Sequence, residues 1–225
     1  LPCELRKIFN VDRLLQYMAI DVMTGNWDGA HFNKNNFYLY QNDLTHRLEF
    51  LPYDTDNTFG IDWSNINWST RNIYNWDGSA NLVLYNKMMA TAEFRSIYNF
   101  YIQSVANYMS SNDYTLQVES LQTMITPSAL NDTYRTLDYG FDNTDFTNAL
   151  DSAWGDHVTF GILEYINARA SSALSQLDNN IANPNLIYQV SSQVAGDAIH
   201  LSFKSTSNSP SVGYRIEGAS NWNLL

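Results

Sequence analysis

At 225 residues and 44% hydrophobic, the chain is long enough for one sizeable domain with a small appendage. A formal net charge of −11, with only 12 Lys and Arg and no basic run, excludes nonspecific electrostatic attachment to nucleic acid or an anionic membrane. The single cysteine, Cys3, excludes an intrachain disulfide framework and a cysteine metal site, and no apolar stretch reaches the roughly 18 residues of a membrane span.

In chain order, Asn10 is placed to cap a helix whose Leu14, Leu15, Met18 and Val22 fall at helical spacing, and Gly25 stops it. Asp21 lies on this helix and reads as a structural hydrogen-bond acceptor rather than a catalyst.

Residues 26–60 then alternate polar, acceptor-rich loops with apolar β-type runs. Carboxylates and amides gathered so densely between hydrophobic segments need a partner, and a divalent cation is the simplest one. Asn36-Phe37-Tyr38-Leu39-Tyr40 and Leu48-Glu49-Phe50-Leu51 read as the strands of a hairpin, with Gln41-Asn42-Asp43 as turn residues. Antiparallel pairing sets Asn36, where the first strand begins, beside Asp54, just past the second, and Asp28 sits on the loop that feeds them. An Asp, an Asn a few residues on and a second Asp after a hairpin is the arrangement protein kinases use, the first Asp for the acceptor hydroxyl and the other two for magnesium.

Asn26-Trp27-Asp28-Gly29, Asn35-Asn36-Phe37-Tyr38-Leu39-Tyr40 and Pro52-Tyr53-Asp54-Thr55-Asp56-Asn57-Thr58-Phe59-Gly60 resemble the signature blocks of the CotH family, spore-coat-type kinases with an atypical protein-kinase-like fold. The resemblance covers roughly residues 4–178. It implies that Asp28 is the catalytic Asp, that Asn36 and Asp54 hold the metal of a bound nucleotide, and that Asp56 reaches the same ion or a second one. Asp56 lies two residues past Asp54, on the same side if the segment is extended. Asn33, five residues after Asp28, competes for the metal role; Asn36 is preferred because it directly precedes a strand. ATP and Mg2+, with Mn2+ or Ca2+ as alternatives, are the implied cofactors, and a protein with Ser/Thr acceptors is the implied partner. A spore coat or a cell surface is the implied location. The glycine-rich loop and phosphate-binding Lys of an N-terminal lobe are not visible, so the chain is expected to be part of a longer protein. His31 is read either as orienting Asp28 or contacting phosphate, or as a partly exposed loop histidine without chemistry. Trp27 and Phe32 read as packing residues.

Residues 61–78 are irregular and crowded with aromatics, and three readings stay open. The segment docks a protein substrate, or Trp63, Trp68 and Trp76 stack on sugars, or the loop packs on itself. Helices follow over Leu82–Met89, Glu93–Met109 and Tyr114–Ile125, with Pro127 expected to end the run. A shorter helix is expected over Phe146–Trp154 and a last long one over Phe160–Leu177, where Arg169 reads as a buried ion-pair residue. After a breaker-rich linker, Leu186–Val190, Ala198–Lys204 and Gly213–Glu217 read as short strands.

The expected fold is α+β: a mostly helical C-terminal lobe of a protein-kinase-like fold over residues 1–180, with a β-hairpin at the active site, then a linker and a β-rich module over 181–225. The implied function is transfer of the γ-phosphoryl group of ATP to protein Ser/Thr hydroxyls. The alternative is a non-catalytic surface or glycan-binding protein with a calcium site, in which Asp54 to Gly60 form the loop. That loop matches an EF-hand poorly, since Asn65 stands where the bidentate Glu is needed.

Overall fold

The computed structural model describes residues 2–78, 81–137, 139–155, 157–196, 198–208, 210–211, 213–214, 221 and 223–224. It is a mixed helix and sheet protein, α+β in class, and divides into two compact units, Leu1–Ile181 and Ala182–Leu225.

The first unit opens with a short helix α1 (Pro2–Ile8) and then α2 (Val11–Thr24). Apolar residues three and four apart give α2 one continuous face, and Leu14, Leu15, Met18 and Val22 are all buried on it. Asn10 precedes the helix as expected, but its side chain does not cap it; the amide instead reaches Glu49 Oε1 at 3.5 Å. Gly25 ends α2 in the left-handed conformation, φ 75°. A Cβ there would lie 2.3 Å from the Tyr165 hydroxyl, so both the backbone and the space require glycine.

The chain then forms the antiparallel hairpin β1 (Phe37–Gln41) and β2 (Leu48–Pro52), paired from Phe37↔Pro52 to Gln41↔Leu48. Its connection is residues 42–47, since Gln41, expected as a turn residue, pairs with Leu48. Asn42 donates to the Arg47 carbonyl at 2.9 Å, while its side-chain oxygen accepts from Leu44 and Thr45 N–H, so one asparagine shapes the loop.

Beyond the aromatic loop come α3 (Val83–Met89), α4 (Ala92–Met109), α5 (Asn112–Leu130), a 3₁₀ turn (Arg135–Leu137), α6 (Asn143–Asn148) and α7 (Ile162–Gln176). The core is α4 packed against α2 and α7: Phe94, Ile97, Tyr98 and Ile102 of α4 are buried with the apolar face of α2 and with Tyr165, Ile166, Ala170 and Ala173 of α7. Pro127 does not end α5, which runs to Leu130 around it. No residue of this helix is buried, so the carbonyl that the proline cannot donate to is not confined to a dry core. The short helix begins earlier than Phe146 and ends well before Trp154. Asp142 caps it, accepting from Thr144 and Asp145 N–H, and the Asp145 side chain accepts from Asp142 N–H in return. Those backbone donors hold the Asp142 carboxyl below its ordinary range.

The second unit is an antiparallel hairpin β3 (Ile187–Ala195) and β4 (Ala198–Ser205), with a register irregularity between Tyr188 and Ser191, and a short pair β5 (Gly213–Tyr214) and β6 (Asn223–Leu224). The first strand is longer than expected, and residues 215–217 of the last expected strand lie outside the described residues.

Candidate active site

The site is built by three segments that the hairpin and the end of α2 bring together. Gly25 turns the chain out of α2, and the loop that follows carries Asp28, which is half-buried. This loop is fastened from below. Asn26 donates to Asp21 Oδ1 at 3.0 Å, and His31 Nδ1 lies 3.0 Å from Asp21 Oδ2. Gly29 packs so closely that a Cβ would lie 2.9 Å from both Asn26 Nδ2 and Asp21 Oδ2. Asp21 is therefore the structural acceptor the sequence suggests. His31 is neither partly exposed nor turned to Asp28: it is buried, paired with Asp21 and packed on the Tyr17 ring at 5.1 Å. Burial, with the negative charge of Asp21 adding to it, holds the Tyr17 hydroxyl well above its ordinary pKa, so the phenol stays neutral.

Above this floor the Asp28 carboxylate is gripped by three side-chain amides. Asn33 Nδ2 donates to Oδ1, Asn36 Nδ2 donates to Oδ2 at 2.9 Å, and Asn57 Nδ2 approaches Oδ2 at 3.4 Å. Asn33 and Asn36, competitors on sequence grounds, both reach Asp28, one on each oxygen. Asn57 is the member that sequence reading missed. Its contact with Asp28 ties the loop after β2 to the loop before β1, and it also donates to Asp56 Oδ1 at 3.1 Å. Its place inside the Asp54-Thr55-Asp56-Asn57 motif was the available signal.

The hairpin supplies the third segment. Tyr53 N–H donates to the Asn36 carbonyl at 3.0 Å, one step beyond the Phe37↔Pro52 pair, so Asp54 immediately follows the residue bonded to Asn36. Asp54 and Asp56 are exposed. The segment from Asp54 is not extended, as the two-residue argument for Asp56 assumed, because Asp54 takes φ 48° and turns the chain. Lys34 (64°), Asn36 (52°) and Phe59 (51°) are left-handed as well. Asn and Asp tolerate this conformation, but Lys and Phe adopt it rarely, and such strain gathers where the surrounding structure must hold a special geometry.

Among the described residues, no three His, Cys, Asp or Glu side chains lie close enough to hold a metal by themselves. The oxygens on hand, from Asp28, Asn36, Asp54 and Asp56, are hard donors suited to Mg2+ or Ca2+ and unsuited to a thiolate-seeking metal. Mg2+ is ordinarily held by one or two carboxylates, with phosphate oxygens and water completing the octahedron, and the residue types here are of that chemical kind.

The aromatic segment packs directly against these loops. Trp27 Nε1 donates to the Ile61 carbonyl at 2.8 Å, and Trp27 and Phe32 both pack on Trp68, at 6.2 and 5.0 Å. Buried Asp62 accepts from Ser64 N–H, Ile66 N–H and Trp68 Nε1, which closes the segment on itself. Trp68 and Trp76 are 1% and 0% exposed, so neither can stack on a sugar. Arg169 is buried but makes no ion pair among the described residues: it donates to the Val22, Ser69 and Arg71 carbonyls at 3.0, 3.4 and 2.7 Å, under the Trp76 ring. Burial lowers its pKa.

Residues 2–173 match the family model described as CotH kinase protein. A curated relative, Invasin CotH3 of Rhizopus delemar, is 21% identical over 207 residues, a match that covers 79% of this chain and 32% of that protein. The chain thus spans about a third of that relative's length. No helix among the described residues is long and apolar enough to cross a membrane.

Proposed function

We propose, from the premise that this chain belongs to the CotH kinase family, that it forms the catalytic-loop half of a kinase-like lobe and transfers the γ-phosphoryl group of ATP to a Ser or Thr hydroxyl of a protein. The observation that carries the reading is the Asp28 carboxylate held by Asn33, Asn36 and Asn57 from both flanking loops. In this reading the three amides fix the carboxylate so that one oxygen faces the acceptor. Asp28 takes the hydroxyl proton as the Oγ–P bond forms and the bond from the γ-phosphorus to the β,γ-bridging oxygen breaks, and ADP leaves with that electron pair. Mg2+, bound with ATP, supplies charge neutralisation on the phosphates. Asn36, through its amide oxygen, and Asp54 would hold it, with Asp56 assisting. The clustered left-handed residues support a geometry maintained at the expense of local strain. A surface location, at a spore coat or elsewhere outside the cell, is part of the proposal; a relative named an invasin is compatible with it.

Calorimetry separates this reading from the calcium-site and scaffold alternatives. ATP binding that requires Mg2+ is the expected result. Calcium binding without nucleotide would favour an Asp54–Gly60 calcium loop, and neither would favour a scaffold without catalysis.

A further inference from the structure

Of the aromatic loop's three tryptophans, Trp63 has no place in the core. It is 53% exposed, and its indole lies flat on the His157 ring, centroids 4.1 Å apart and planes 11° apart. Tyr139, 59% exposed, stands at 5.6 Å from Trp63 with its plane tilted by 53°, and packs on His157 at 4.6 Å. His157 is itself buried and backed by Phe141 and Trp154. The backbone beneath is fixed too: Asp62 N–H donates to the His157 carbonyl at 2.7 Å, and the Asp62 carboxylate holds Ser64 and Ile66. The result is an indole held on a buried stacked base with a tilted phenol as a side wall, the indole and the phenol both exposed.

Rigid exposed aromatics lose little conformational entropy on binding, and they offer a flat apolar face with polar edges. A pyranose ring has the complementary form, a flat face of C–H groups bordered by hydroxyls. Ser64 and Asn65, both exposed beside Trp63, offer a hydroxyl and an amide for that border. Residues 62–70 contain no Lys or Arg, and the chain carries a net charge of −11, which disfavours uronic or sulfated sugars. We infer that Trp63 and Tyr139 form a stacking site for a neutral glycan, independent of phosphoryl transfer.

Native gel electrophoresis through hydroxyethyl cellulose, barley β-glucan and glucomannan, with carboxymethyl cellulose as the anionic counterpart, tests this. At least one neutral polymer should retard the protein, Trp63→Ala should weaken that retardation at least tenfold, Tyr139→Ala should weaken it less, and Asp28→Ala should leave it unchanged. Because Trp63 is more than half in solvent, its variant should fold normally, which circular dichroism checks. The inference is overturned if no neutral polymer retards the protein, if Trp63→Ala runs like the parent, or if only the anionic polymer acts. Quenching of tryptophan fluorescence by peptides, absent in Trp63→Ala and without polysaccharide retardation in the parent, would assign the platform to protein partners and overturn it equally.

Discussion

Asp28→Ala should reduce phosphoryl transfer from ATP by at least about a hundredfold, the low end of what a positioned proton acceptor contributes, while the protein unfolds within a few degrees of the parent. The two halves of this expectation have separate causes. Asp28 is half-buried on a loop and supports no core packing, and the Asn33, Asn36 and Asn57 amides it releases lie near enough to solvent to find water. The loop's own anchors, Asn26 and His31 on Asp21, remain in place. Transfer assays against a Ser/Thr-rich acceptor, run beside thermal unfolding, check both halves. Parent-like transfer by the variant would remove Asp28 from the chemistry, and loss of the fold would make it a structural residue.

Arg169→Met should destabilise the first unit by about 3 kcal/mol, with an unfolding midpoint lower by on the order of 10 °C. Two terms oppose each other. Removing the guanidinium recovers its desolvation cost, several kcal/mol for a buried ion. Against that stand three charge-assisted bonds of about 1.5–3 kcal/mol each, with the Ser69 and Arg71 carbonyls losing their guanidinium donor to a methionine that fills the space, while the Val22 carbonyl keeps the Gly25 N–H at 3.4 Å. The second sum is larger. A midpoint within about 2 °C of the parent would mean that the carbonyls find other donors. The bonds also join the last turn of α2, which leads into the Asp28 loop, to the aromatic segment, so some loss of site order should accompany the loss of stability.

The parts of the fold legible in the sequence are those set by local patterns. Aromatic and apolar alternation placed the hairpin within a residue at each strand, Gly25 marked the end of α2, and the stripe from Phe94 to Met109 gave α4. What escaped depended on contacts across the chain or on exposure. His31 finds Asp21 only because the chain turns back at Gly25. Arg169 was expected to meet a carboxylate, yet its partners are backbone carbonyls, which no residue type announces. Pro127 reads as a helix stop in any pattern, and only the exposure of α5 makes it tolerable. In the site, the backbone bond from Tyr53, the residue before Asp54, to Asn36 followed from the pairing rule. The reach of Asn57 back to Asp28 did not, because it depends on the left-handed turn at Asp54. The aromatic loop divided in the same way: burial of Trp68 and Trp76 withdrew two of its three proposed platform residues and left Trp63.

The proposed chemistry places one cation, shared with ATP, between the loop before β1 and the loop after β2. Mn2+ in place of Mg2+ makes that ion visible by nuclear magnetic resonance. With ATP present, substoichiometric Mn2+ should broaden the Asn36 side-chain amide and the backbone amides from Asp54 to Asn57 first, and without ATP it should do so far less. Broadening centred elsewhere, or unchanged by ATP, would contradict the claim.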